Sequence, residues 1–207
     1  MIEKTVLTGQ NDQFIDFTTA EAPLHKKVAP AFIRLQAMAA DEGFDLAIAS
    51  AYRDYPRQMT IWNGKLTGER PVYDSDNQLM SLAPLSPWQQ LEAVLRWSAL
   101  PGASRHHWGT DVDVYDRAAV PADYRVQLSV DEVSSQGPFG SLHEWLDKVL
   151  IENTALGFFR PYNVDRGGVA PERWHLSYAP VAAQYQRALT LDVIRECCDR
   201  SELMLHE

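Results

Sequence analysis

Two short stretches far apart in the chain constrain its fold more than anything else in it. They are Ser104-Arg105-His106-His107-Trp108-Gly109-Thr110-Asp111-Val112-Asp113 and Glu172-Arg173-Trp174-His175. Together they offer two imidazoles, a carboxylate and a spare carboxylate. That set suits a catalytic zinc site, with three protein ligands, an open position for water and a general base beside it. The set works only if the fold brings both stretches to one place. His106 and Asp113 are seven residues apart. On a continuous helix that is two turns, too far for both to grip one ion, and Gly109 weakens such a helix. A loop holding His106 and a strand holding Asp113, folded back at Gly109, brings them together. Val112 and Val114 then face the core and Asp113 the opposite face. His175 on a neighbouring strand completes the three. Singly these residues say little, because a lone His is usually structural or exposed and a lone Asp in a strand usually faces solvent.

The surrounding pattern is of helices interleaved with short strands, without regular alternation. Val28, Phe32, Leu35, Met38 and Ala39 recur at helical spacing, with Pro30 in the first turn and an end near Gly43. Residues 44–50 alternate as a strand. Pro56 opens a helix that runs to about Lys65, and residues 64–85 read as loop. Ser86 caps a helix with Pro87 at its first position, running to about Ala99. Residues 110–115 read as a strand, residues 116–140 as irregular, and Ser141 to Thr154 as a helix with Leu142, Trp145, Leu146, Val149 and Leu150 on one face. Short strands follow at 158–162 and 174–178, then a helix from Val181 to about Leu205. Residues 1–24 form a strand or drape over the core. The expectation is an α+β fold, one domain over residues 1–207, with a small, mainly antiparallel sheet flanked by helices.

Composition narrows the partners. Asp plus Glu number 28 against 19 Lys plus Arg, a net charge of −9 with no basic run, so neither nucleic acid nor an anionic membrane is an expected partner. No run of 18 apolar residues predicts a membrane span. The first residues lack the charged and apolar regions of a signal peptide, so the expected location is a bacterial cytoplasm. Cys197 and Cys198 are adjacent, which disfavours a disulfide between them and, with no other Cys, a Cys-ligated metal.

Three separated motifs resemble the VanY-type zinc D-alanyl-D-alanine carboxypeptidases, a family related to L-alanyl-D-glutamate endopeptidases and sharing the hedgehog/DD-peptidase-like fold. Ser104, His106, Gly109 and Asp113 match Ser-x-His-x-x-Gly-x-x-x-Asp. Glu172, Trp174 and His175 match Glu-x-x-His with Trp before the His. Ser50, Tyr52, Arg53 and Gln58 match Ser-x-Tyr-Arg with a Gln five residues on. The resemblance covers about residues 26–180. It implies Zn²⁺ on His106, Asp113 and His175, with Glu172 as the base that takes the proton of the attacking water. Arg53 would stabilise the oxyanion or hold a substrate carboxylate. Gln58 and Ser104 would hydrogen-bond a peptidoglycan stem peptide, and Trp174 would wall the pocket. Structural alternatives stand beside these roles: an ion-pair partner for Arg53, a turn cap for Ser104, a bystander for His107. A His₂Asp set also takes other divalent ions.

Substrate choice stays open. The resemblance implies a carboxypeptidase releasing D-Ala, of D,D- or L,D-type. An endopeptidase is the enzymatic alternative. A non-catalytic zinc-bound module, as in hedgehog signalling domains, is the other class, and intact Glu172 and Arg53 speak against it. One departure is Asp111, where the family commonly has Ala or another small residue. This extra carboxylate would rim the pocket or face solvent.

Overall fold

The two motif stretches become adjacent strands of one antiparallel sheet in the computed structural model, which describes residues 2–75, 77–198 and 203–204. The chain opens with a short helix α1 (Lys4–Leu7) and a two-stranded ribbon, β1 (Ile15–Asp16) and β2 (Leu24–His25). Helix α2 (Ala29–Asp41) follows, then β3 (Leu46–Ser50) and α3 (Tyr55–Leu66). A small hairpin, β4 (Val72–Tyr73) and β5 (Leu79–Met80), leads to α4 (Pro87–Leu95). After a 3₁₀ turn over Arg105–Trp108 come β6 (Asp111–Asp116), α5 (Gly140–Ile151), β7 (Phe158–Phe159) and β8 (His175–Tyr178). Helices α6 (Ala179–Ala188) and α7 (Leu191–Cys198) close the described chain.

The main sheet has the order β3-β6-β8-β7, and every neighbouring pair is antiparallel. In the β6–β8 pair Asp111 lies opposite Ser177, Val112 opposite Leu176 and Asp113 opposite His175. Strand alternation then sorts the faces. Val112, Val114 and Leu176 are fully buried against α2 and α5, in a core with Phe32, Leu35, Leu142 and Leu146. Asp111, Asp113, His175 and Ser177 share the other face. The pairing of β3 with β6 is irregular between Ile48 and Ser50, a bulge that re-aims the chain just before Ala51-Tyr52-Arg53.

Local signals explain the helix starts. Asp54 accepts the Arg57 N–H at 2.8 Å and so caps α3, with Pro56 in its first turn. Ser86 and Gln89 form a reciprocal capping box on α4. Gly109 carries the turn between His106 and β6. Its backbone is left-handed, with φ +64°, and an added Cβ would lie 2.7 Å from the His25 backbone nitrogen and 2.6 Å from Ile15 Cδ1.

Three expectations need correction. Residues 1–24 neither form a lone strand nor merely drape: Val6, Leu7 and Leu24 enter the main core, because α1 and the ribbon pack against the 3₁₀ turn. Residues 64–85 hold the β4–β5 hairpin rather than loop alone. The helix expected from Val181 to about Leu205 is two helices. Leu189 turns extended (ψ 101°), and Thr190 starts α7 by accepting the Val193 N–H on its hydroxyl. Residues 199–202 and 205 of that expected helix lie outside the described residues. Leu203 and Met204 are described, Leu203 packing with Trp62, Val72 and Val94 in a second cluster around α3. Cys197 and Cys198 are not disulfide-bonded among the described residues. No helix among the described residues is long and apolar enough to cross a membrane.

The Gly109→Ala variant should lose at least about 2 kcal/mol of stability, from the left-handed backbone and the overlap with the β2 backbone. Urea unfolding checks this, and parental stability in that variant would contradict the turn geometry.

Candidate functional site

One atom from each of His106, Asp113 and His175 falls within 4.8 Å of the others, all three residues being buried. His106 Nε2 is 3.4 Å from Asp113 Oδ2, and His175 Nδ1 is 3.4 Å from Asp113 Oδ1. Glu172, three residues before His175, places Oε2 2.9 Å from the same Nδ1. Strand pairing sets Asp113 against His175, and the 3₁₀ turn swings His106 over them. The structure thus gathers two imidazoles and two acids at one point. Two nitrogens and one oxygen are a donor set that fits a divalent ion such as zinc.

Each imidazole is oriented from behind. His106 Nδ1 lies 2.8 Å from the Ala51 carbonyl, an acceptor only, so Nδ1 carries the proton and Nε2 faces the cluster. His175 Nε2 lies 3.0 Å from Asp111 Oδ1, so Nδ1 faces the cluster. Asp111 therefore neither rims a pocket nor faces solvent. It is fully buried and ion-paired to Arg105 at 2.7 Å.

The electrostatics follow from this layout. Burial alone would push His175 down, but hydrogen bonds to Asp111 and Glu172 and the charge of Asp113 outweigh it and hold the imidazole up at about 10. Burial pushes Asp113 up to about 6, against the pull of His175 and Arg53. Burial also drives His106 well below its usual value, helped by the Arg53 charge. The site thus favours positive charge between its acids, which an ion supplies in place of a proton.

The cluster opens into a cavity of about 450 Å³ whose lining includes Arg53, Lys65, Ser104, Tyr162, Glu172 and Trp174. Arg53 is half-buried, and its Nε has no hydrogen-bond partner among the described residues. Ser104 lines the wall and makes no side-chain cap of the 3₁₀ turn. Trp174 stacks on Trp97, ring centroids 6.1 Å apart. Gln58 stands apart from the others. It is fully buried, donates from Nε2 to the Ala99 carbonyl at 2.7 Å, and lies behind the lining because α3 turns it inward. His107 also points away. Its Nδ1 donates to the Arg53 carbonyl and its Nε2 accepts the Gly102 N–H, so it braces the backbone of Arg53.

Sequence reasoning passed over Lys65, Tyr162, Arg105 and Ser177. Lys65 lines the cavity from α3, and burial, with the charges of Arg53 and Arg70, lowers its ammonium to about 8 despite the attraction of Glu172. Tyr162 meets the His175 ring edge-on at 5.0 Å. The signal available for Lys65 was its place on the helix that Arg53 leads into. A second cavity, of about 780 Å³, lies between α1, α3 and α7, with Gln10, Tyr55 and Cys197 in its wall. It is larger, yet none of the candidate residues lines it.

Comparisons with known proteins agree with this geometry. A family model described as VanY, D-alanyl-D-alanine carboxypeptidase, matches residues 21–181. Two uncharacterised proteins of Haemophilus influenzae are similar. One is 40% identical over 99 residues, 46% of this chain and 68% of that protein. The other is 38% identical over 84 residues, 40% of this chain and 63% of that protein. Among solved structures, VanYB in complex with D-alanine-D-alanine aligns with a TM-score of 0.58 at 22% identity, over 93% of this chain and 92% of that one. A mutant of the vancomycin resistance D,D-pentapeptidase VanY in complex with Zn(II) aligns at 0.56 and 22% identity, over 88% and 90%. At these identities the likeness is one of fold.

An ion entering among His106, Asp113 and His175 must displace the proton that His175 carries below about pH 10, while Asp113 is already ionised above about 6. A proton bound before and lost on binding makes affinity rise with pH. Zn²⁺ affinity should increase about tenfold per unit between pH 7 and 9, with about one proton released per ion. Calorimetry in buffers of different ionisation enthalpy counts that proton, and pH-independent affinity would contradict the charge layout.

Proposed function

The chain belongs to the VanY family of peptidoglycan peptidases, and on that premise we propose that it is a zinc-dependent carboxypeptidase releasing D-Ala from peptidoglycan stem peptides. The observation that carries the reading is the meeting of His106, Asp113 and His175 with Glu172 and Arg53 at the floor of one cavity. His106 Nε2, Asp113 and His175 Nδ1 are the ligands of this reading. A divalent ion held by them supplies Lewis acidity to the scissile carbonyl and lowers the pKa of a bound water to about 7.

The remaining roles fall to the chain's own side chains. Glu172 takes the proton of the attacking water and passes it to the leaving amine. Its Oε2 lies 2.9 Å from Nδ1 of His175, which supports that role. Arg53 lines the cavity, where its guanidinium would meet the oxyanion or a substrate carboxylate. Ser104 and Trp174 line the path of the peptide. Gln58 acts at one remove, holding the Ala99 backbone that forms part of the wall.

A cut at a chain end suits the charges. Arg53, Lys65 and Arg70 all line the cavity, and they outnumber its acids, Asp113 and Glu172. A terminal carboxylate would find a cation there, whereas an internal peptide bond brings no such charge. The related VanYB structure is itself a complex with D-alanine-D-alanine.

Mass spectrometry of tri-, tetra- and pentapeptide stems after incubation should show loss of one terminal D-Ala. An internal cut would make the chain an endopeptidase, and intact peptides in the presence of bound zinc would leave a binding module. Glu172→Ala should lower turnover about 10²–10⁴-fold while keeping its zinc. Undiminished turnover in that variant would remove Glu172 from the role of base.

A further inference from the structure

A carboxylate with no exposed surface needs a reason, because burying its charge costs several kcal/mol unless donors compensate. Asp111 has none of its surface exposed, and its two oxygens are met by four donors. Oδ1 accepts from Arg105 Nε at 2.7 Å and from His175 Nε2 at 3.0 Å. Oδ2 accepts from the hydroxyls of Thr110 and Ser177, the latter at 3.0 Å. Arg105 is held in turn. It donates from Nη2 to Ser177 Oγ at 2.7 Å and from Nη1 to Gln186 Oε1 at 3.2 Å, and its guanidinium lies 4.9 Å from the centre of the Trp108 ring. Arg105 also lines the cavity, whereas Asp111, Thr110 and Ser177 reach it only through His175.

We infer that Asp111 is a positioning residue: backed by Arg105 and Ser177, it fixes His175 in the one tautomer that presents Nδ1 to the metal ion. An ionised carboxylate accepts and never donates, so the nitrogen it meets must carry the hydrogen. That nitrogen is Nε2, so Nδ1, which meets Asp113 and Glu172, is the one left to give up its proton to a bound ion. A ring rotated about its Cβ–Cγ bond would lose the Asp111 contact and leave a buried carboxylate short of a donor. Orientation and tautomer are therefore held by one interaction. His106 has the weaker version of the same device, a neutral carbonyl of Ala51. A charged acceptor makes the imidazole a more basic ligand than a neutral one does. Arg105 offsets the extra charge, so the added basicity comes without a net anion behind the ring.

The inference deepens the proposed function and rests on the metal-binding part of that reading. Its test reads zinc affinity and histidine tautomer rather than turnover. Competition with a chromophoric chelator should show Zn²⁺ binding weakened about 10–100-fold in Asp111→Asn and more in Asp111→Ala, with Asp111→Asn folded by circular dichroism. Nitrogen-15 spectra of the unsubstituted zinc-loaded protein should show the His175 proton on Nε2. They keep the inference open to refutation even where a variant fails to fold. Parental zinc affinity in a folded Asp111→Asn, or a proton on Nδ1 of His175, would overturn it. A parent that binds zinc but cuts no stem peptide would overturn the peptidase reading alone. A parent that binds no zinc would overturn both.

Discussion

The site depends first on the register between β6 and β8. Asp113 faces the cavity because His175 lies directly across from it, and Asp111 lies two residues back on the same face, across from Ser177. A slip of one residue would send both acids into the core and turn Val112 and Val114 toward the cavity. That error is expensive, because Val112, Val114 and Leu176 are the centre of the apolar core. Hydrophobic packing on one face thus determines the polar geometry on the other. The bulge in β3 then brings the Ala51 carbonyl behind His106 and Arg53 into the cavity wall.

Charge is handled in two layers. The inner layer, Asp113 and Glu172 with the two imidazoles, is short of positive charge, as the raised His175 shows. The outer layer, Asp111 with Arg105, is neutral as a pair and saturated with hydrogen bonds. A polar network of this kind is stable in a low-dielectric interior only when every member is satisfied. Along the cavity walls the opposite holds. Arg53 lines them with its buried Nε unpartnered among the described residues, and burial weakens Lys65's hold on its proton.

Much of this could be read in the chain before any coordinates. Asp54, Ser86 and Pro87 are local capping signals, and α2, α3 and α5 carry clear apolar stripes, so those elements follow from neighbours in sequence. His106, Asp113, Glu172 and His175 stood out as a set through residue type and spacing, and Gly109 marked the turn that gathers them. What stayed hidden depends on distant partners. Asp111 reads as a surface acid because Ser177, which bonds it, is 66 residues away. Val6, Leu7 and Leu24 join the core from segments too short to show a period. The break at Leu189 was legible in principle, since Thr190 is a good cap followed by Asp192 in the first turn of α7. An unbroken run of helix-forming residues masked it.

The same long reach has a consequence for how the molecule comes into being. The β6–β8 pairing joins residues on either side of a span that includes α5 and β7, so the β6 half of the site has only β3 to pair with until β8 is made. On a ribosome, His106 and Asp113 emerge long before His175, with only the earlier β3, through Ser50 and the Ala51 carbonyl, to pair with. A chain cut off anywhere before β8 therefore lacks His175, and the cluster of His106, Asp113 and His175 is completed in a single late event.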